Sequence, residues 1–180
     1  MLKVLIPLAQ GCEELEAVTI IDLLRRAEIN VITAGLDSQA VTCSRGTVLI
    51  PDTDLDTALN DVYDMVVLPG GLPGAEHLNN DERIKTLLIK MANSEKFTAA
   101  ICAAPKVLVN AGLLENKKAT SYPGVLEGTE NISISNDAVV IDGKVITSRG
   151  PGTAMDFALT LIESLAGKAK RDEVEKGLVR

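Results

Sequence analysis

The sequence predicts an α/β sandwich built on a mainly parallel sheet, and three observations carry that expectation. Short apolar, β-branched runs alternate with amphipathic helical stretches along nearly the whole chain. The N-terminal stretch through Ala34 reads strand, helix, strand, a crossover unit that leaves its two strands parallel. Four segments rich in Gly, Pro or Cys fall where strands end, and ligands of open α/β sheets bind at such ends. These are Gly11 to Glu16, Pro69-Gly70-Gly71, Cys102-Ala103 and Ser148 to Thr153.

Taken in order, Lys3 to Leu8 is a buried first strand, broken by Ala9-Gln10-Gly11-Cys12. A helix runs from Glu13 to about Ala27, with Leu15, Val18, Ile21 and Leu24 or Arg25 at helical spacing. Acidic residues in its first turn and Arg25-Arg26 in its last suit the helix dipole. Ile29 to Ala34 is the second strand. Ala40 to Ser44 and Thr47 to Ile50, parted by Arg45-Gly46, read as a short antiparallel excursion. Asp52 to Asn60 is acidic and turn-like. Tyr63 to Leu68 is a further buried strand, followed by a loop holding Pro73, Gly74 and His77. Asp81 caps a helix through about Met91, with Ile84, Leu87, Leu88 and Met91 on one face. Phe97 to Ile101 is a buried strand, and a helix opens at Pro105 and ends near Gly112. Ala119 to Tyr122 is a weak strand. Val139 to Ile141 and Val145 to Thr147 flank Asp142-Gly143, a hairpin signal. A helix to about Ala166 carries Phe157, Leu161 and Leu165, and Lys168 to Arg180 is a charged terminal helix.

The bulk numbers narrow the function. A length of 180 residues and 46% hydrophobic content suit a single domain, 1–180, with a core that needs no staples. Aromatics are 2% and the net charge is -7, which argues against base-stacking, nucleic-acid binding and anionic membranes. The N-terminus lacks a signal-peptide h-region, and no apolar run reaches membrane-spanning length. With three cysteines and no CxxC spacing, free thiols in a cytoplasmic setting are expected. No cluster of metal-ligating residues is visible, so neither a metal nor a cofactor is predicted.

The chemistry centres on Phe97-Thr98-Ala99-Ala100-Ile101-Cys102-Ala103-Ala104-Pro105, a strand, sharp turn and helix resembling a nucleophile elbow with Cys in place of Ser. At the helix entrance Cys102 is expected to be a thiolate at neutral pH. The plain alternative is a buried cysteine acting as a small core residue. Gly70-Gly71 fits neither GxGxxG nor a Walker loop. It is either a tight turn or a place where a backbone N–H approaches the reacting oxygen, paired with that of Ala103. Of Glu13, Glu14 and Glu16, the first two read as a charged helix start. Glu16 lies further in, where burial would keep it protonated and able to shuttle a proton, although periodicity alone does not choose it over its neighbours. His77 is the only histidine, and its plain reading is an exposed loop residue, which disfavours a Cys-His hydrolase. Cys12 reads as a loop filler and Cys43 as a packed strand residue. Arg45 and Arg26 are either anion ligands or ordinary surface charges.

On Gly11-Cys12-Glu13-Glu14-Leu15-Glu16-Ala17-Val18, Asp22 to Ala27, Cys43-Ser44-Arg45, Val66 to Gly71, Ala99 to Pro105 and Thr147 to Thr153, the chain resembles the ThiJ/PfpI superfamily. The similarity is to the branch of the parkinsonism-associated protein deglycase and bacterial YajL-like proteins. It implies a flavodoxin-like three-layer sandwich and a homodimer. It also implies that Cys102 is an oxidisable nucleophile, Glu16 its protonated partner, and Gly70, Gly71 and Ala103 the backbone around the reacting oxygen. Arg45 and the partner subunit's Arg26 are implied near the pocket. The implied activity is that of a cysteine-dependent deglycase or glyoxalase acting on α-oxoaldehydes such as methylglyoxal and glyoxal, or on their early adducts with proteins. The alternatives it carries are a redox-sensing stress chaperone switched by oxidation of Cys102, and a PfpI-type cysteine peptidase. Tyr122, in Ser121-Tyr122-Pro123, stands where relatives commonly carry a histidine. This weakens a Cys-His triad and favours a Cys-Glu reading.

Overall fold

A computed structural model describes residues 1–180. The strands of the main sheet are β1 (Lys3–Leu8), β2 (Asn30–Gly35), β5 (Thr53–Asp54), β6 (Met65–Leu68), β7 (Phe97–Ile101), β10 (Val139–Asp142) and β11 (Val145–Ser148). Their spatial order is β10-β11-β7-β6-β1-β2-β5. Every neighbouring pair is parallel except β10 and β11, the hairpin turned by Asp142-Gly143. The chain runs from β1 to β2 on one side and returns to β6 on the other side of β1. That reversal opens a crevice at the carboxyl ends of β1 and β6.

Side-chain alternation along the strands feeds two cores. Val4, Ile6, Leu8, Met65, Val67, Ala99 and Ile101 face one layer, where they meet α1 (Glu14–Arg26), α6 (Ala154–Ala166) and Val174 of α7 (Lys168–Gly177). Leu5, Val66, Leu68 and Ala100 face the other, formed by α2 (Leu55–Ala58), α3 (Gly74–Asn80), α4 (Glu82–Asn93) and α5 (Pro105–Asn110). The result is the expected three-layer α/β sandwich. Strands buried on both faces read as continuous apolar runs, as Met65-Val66-Val67-Leu68 does. On α4, Ile84, Leu87, Leu88 and Met91 are all buried, and Asp81 caps the helix by accepting from the Arg83 N–H at 2.9 Å.

Several expectations are corrected. The acidic stretch after Asp52 holds β5 and a helical turn, capped by the Asp54 side chain on Thr57 N at 2.8 Å. Gly74 and His77 lie in helix rather than loop, in α3 (Gly74–Asn80) with Pro73 just before it. Gly74 and Asn79-Asn80 are weak helix formers, and burial of Ala75 and Leu78 secures α3. The excursion shrinks to a two-residue hairpin, β3 (Val41–Thr42) with β4 (Val48–Leu49). The weak strand shifts to β8 (Lys117–Ala119), which pairs in parallel with β9 (Ile132–Ile134), a strand without a clear apolar signal. On α1 the buried face is Glu16, Ala17, Ile20, Leu23 and Leu24, whereas Leu15 and Val18 are exposed. Apolar residues on both sides of this helix allow two phases at spacings of three and four, and packing against α6 selects the second. No helix is long and apolar enough to cross a membrane.

This packing sets an order of mutational costs. Ile20→Ala empties a fully buried position and is expected to cost about 2–5 kcal/mol. Asp81→Ala removes only a cap and is expected to cost about 1 kcal/mol. Urea denaturation checks the ranking, and the reverse order would reject this phase of α1.

Candidate active site

Cys102 follows β7 with φ +64°, a left-handed conformation that non-glycine residues adopt only when their surroundings hold it. Two backbone bonds do so. Cys102 N donates to Ser148 O at 3.0 Å, and Tyr122 N donates to Cys102 O at 2.9 Å. The chain then turns through Ala103 and Ala104 into α5, whose first residue is Pro105. The elbow expected from the sequence is present, and Cys102 is 9% exposed at its apex.

Gly70 brings the carboxylate and the thiol together. Its N–H donates to Glu16 Oε2 at 2.8 Å, and its carbonyl accepts from Glu13 N at 2.9 Å. A Cβ at residue 70 would lie 2.6 Å from Cys102 Cβ and 2.8 Å from Glu16 Oε2, so no other residue fits between them. Gly71 follows with φ +88°. The N–H groups of Gly71 and Ala103 both interact favourably with the Cys102 sulfur. The four strand-end segments picked out in the sequence thus meet at one point.

Glu16 is fully buried, and its Oε1 makes no hydrogen bond. Burial raises its pKa to about 7, opposed by the Gly70 N–H and by the contact with Cys102. Burial likewise pushes the Cys102 thiol up to about 12, and ionised Glu16 adds to the rise. The N–H groups of Gly71 and Ala103 pull the other way. Burial and the Glu16 charge thus oppose the thiolate expected from the sequence, while the Gly71 and Ala103 N–H groups support it. α5 has only six residues and begins three positions beyond Cys102, so its dipole is weak there. The two groups titrate as a coupled pair.

The other expected residues are distributed as follows. Glu13 accepts from Ser44 Oγ, and Glu14 accepts from Ser44 Oγ and from the Arg45 and Thr47 N–H groups. They tie the β3–β4 hairpin to α1 and do not join Cys102. Arg45 is engaged through its backbone, and Arg26 pairs with Asp22 at 2.7 Å on the exposed side of α1. Neither guanidinium is brought to Cys102 within this chain. His77, exposed on α3, lines a separate cleft with Gln10, Asp37 and Val41. Within the expected Ser148 to Thr153 segment, Gly150 is the residue that reaches the site, where a Cβ would stand 3.4 Å from the Tyr122 ring and 4.0 Å from Cys102 Sγ. Its only signal was the Arg149-Gly150-Pro151-Gly152 break. A cleft of about 450 Å³ opens beside Ala103, lined by Leu72, Glu76, Asn79, Lys106 and Val125 among others.

A sequence model of the DJ-1/PfpI family matches residues 2–164. The chain is 46% identical over 178 residues to Protein dj-1beta of Drosophila melanogaster, covering 97% of this chain and 95% of that one. The crystal structure of Drosophila DJ-1beta superposes with a TM-score of 0.95, covering 99% of this chain and 97% of that chain. Protein DJ-1 homolog B of Arabidopsis thaliana is 44% identical over 176 residues, 97% of this chain. The chain spans 40% of that longer protein. A Caenorhabditis elegans protein named glutathione-independent glyoxalase DJR-1.2 is 35% identical over 170 residues, covering 94% of this chain and 91% of that one.

The raised carboxyl generates a pH prediction. An unfolded Glu16 titrates near 4.5 and the folded one near 7. The folded state binds this proton more tightly, so the contribution to stability is complete at low pH and is lost as pH rises through about 7. Glu16→Gln removes the dependence. Urea unfolding at about pH 5 and about pH 8.5 should show the wild type losing up to about 3 kcal/mol relative to Glu16→Gln. Equal slopes would mean that Glu16 is not held protonated.

Proposed function

The chain belongs to the DJ-1/PfpI family, and on that premise we propose that it is a cysteine-dependent, cofactor-independent glyoxalase acting on α-oxoaldehydes such as methylglyoxal, free or as early adducts on proteins. The observation that carries the reading is a pair of buried acids held together. A buried carboxyl with one unpartnered oxygen lies against a buried thiol whose charged form the Gly71 and Ala103 N–H groups favour.

The steps follow from that arrangement. The thiol proton passes to Glu16, and the sulfur attacks the aldehyde carbon. The carbonyl oxygen takes a proton as the hemithioacetal forms. Glu16, ionised again, removes the C–H proton from that carbon and returns it to the adjacent ketone carbon, while the hydroxyl proton passes to the ketone oxygen, which leaves a thioester of a 2-hydroxy acid. Water cleaves the C–S bond, releasing lactate from methylglyoxal and restoring the thiol. The net change is addition of one water, so no external oxidant or reductant is needed. With the free aldehyde no step expels an amine that requires a strong acid, which suits a site without histidine. The backbone N–H groups of Gly71 and Ala103 stabilise the negative charge as it moves between sulfur and oxygen. The same donors suit a second role for Cys102 as an oxidation sensor, because a sulfinate carries charged oxygens that N–H groups can hold.

A homodimer belongs to the same reading. Leu15 and Val18 on α1 and Val48 and Ile50 by the hairpin are 51%, 45%, 58% and 86% exposed. Glu14 bonds this hairpin to the start of α1, so these residues lie in one region of the surface. A second copy covering that region would bring the partner subunit's Arg26 into play. Sedimentation at micromolar concentration is expected to give twice the chain mass, and Val18→Lys is expected to return it to one.

Turnover tests the chemistry. Loss of methylglyoxal and appearance of lactate are expected with wild type and His77→Ala. With Cys102→Ala and Glu16→Gln they should fall at least ~100-fold. Full activity in Glu16→Gln would reject the Cys-Glu mechanism, and loss in His77→Ala would restore a Cys-His one.

A further inference from the structure

Two thiols outside the proposed reaction stand in direct contact. Cys12 Sγ and Cys43 Sγ are 3.6 Å apart, and both residues are buried, at 1% and 5% exposure. Their segments run side by side. Gly11 N donates to Thr42 O and Ser44 N to Cys12 O, each at 2.8 Å. Glu13 and Glu14 clamp Ser44, Arg45 and Thr47 from the other side. Backbones bonded in this way lie about 5 Å apart, inside the Cα separation of roughly 4.4–6.8 Å that a disulfide spans. No third His, Cys, Asp or Glu converges to complete a metal set.

We propose that Cys12 and Cys43 form a second redox site, a dithiol that peroxide closes to an intrachain disulfide, and that its closure disturbs the Gly71 N–H beside Cys102. Cys43 is the attacking sulfur. It is the less covered of the two, and the Cys12 thiol stabilises its anion by donating a hydrogen bond. The Cys43 thiolate takes one peroxide oxygen, the O–O bond breaks, and water leaves with a sulfenic acid formed on Cys43. Cys12 then attacks the Cys43 sulfur, the S–O bond breaks and a second water leaves. Two thiols give up two electrons and two protons, and one peroxide is reduced. Burial raises both thiol pKa values, so the pair answers sustained peroxide rather than traces.

The coupling to the active site is steric. Bond formation must draw the sulfurs from 3.6 Å to about 2.05 Å. The Cys12 backbone has no slack against the turn that carries Gly71. A Cβ on Gly71 would lie 2.7 Å from the Cys12 carbonyl carbon and 2.4 Å from Glu13 N, and one on Gly74 2.6 Å from Cys12 N. Moving Cys12 therefore shifts the Gly70-Gly71 turn, and with it the donor aimed at Cys102.

Peptide mapping of peroxide-treated wild-type protein without reduction is expected to recover one peptide linking Cys12 to Cys43, short of two hydrogens. The same link is expected in Cys102→Ser and absent from Cys43→Val. Diamide, which joins thiol pairs without adding oxygen to a single thiol, then reports the coupling. Iodoacetamide alkylation of Cys102 should slow about tenfold or more in diamide-treated wild type and stay unchanged in Cys43→Val. Separate oxidation of the two cysteines, pairing with Cys102 or pairing between chains would overturn the site. A Cys12–Cys43 link without slower Cys102 alkylation would overturn the coupling. None of these readouts uses glyoxalase turnover, so they stand or fall apart from that reading.

Discussion

Residue 70 has no room for a side chain. Its amide donates to Glu16 Oε2 at 2.8 Å, while a Cβ would meet Cys102 Cβ at 2.6 Å and the Ile101 carbonyl oxygen at 2.8 Å. This one contact joins three elements far apart in sequence: the first turns of α1, the end of β6 and the end of β7. Without it, a carboxyl-bearing helix face could not seat against a cysteine elbow. Gly71 and Gly74 extend the constraint by packing against the backbone of residues 11–13. The crevice between β1 and β6 becomes a site because glycine backbone replaces side chains where the segments converge.

That closeness also sets the electrostatics. Two acids withdrawn from water both resist ionisation, and each resists more when the other is charged. The two therefore titrate as a coupled pair rather than as independent groups. A buried carboxyl oxygen without a partner is normally destabilising. Here it belongs to the carboxyl that Gly70 holds beside Cys102, so the destabilisation falls within the candidate site.

Helix α1 carries two apolar surfaces with different duties. Ala17, Ile20, Leu23 and Leu24 anchor it on α6 and the sheet, which aims Glu16 inward. Leu15 and Val18 remain exposed beside the β3–β4 hairpin, which Glu14 secures to the helix. The hairpin's Cys43 reaches Cys12 from the same side. The start of α1 thus brings the Gly70-Gly71 turn, the exposed apolar region and the thiol pair within a few residues of one another.

The sequence by itself determined the β-α-β opening, the Asp81 cap, the Asp142-Gly143 hairpin and the cysteine elbow. Each is local: strand periodicity, a capping side chain, a turn dipeptide, a proline in the first turn of a helix. It also marked the four strand ends that meet at Cys102, because parallel sheets collect sites there. Tertiary structure decided the rest. The spacing of Glu16 to Ile20, Leu23 and Leu24 was present in the sequence, but Leu15 and Val18 offered a competing phase, and only packing on α6 resolved it. Helix α3 and strand β9 lacked a local signal, since their neighbours stabilise them. The charge state of Cys102 followed the same pattern. The residues near the elbow suggested a helix dipole and hence a thiolate. Burial beside a carboxyl 86 residues earlier in the chain works against the thiolate, because desolvation depends on what the fold brings close rather than on what is adjacent in the chain.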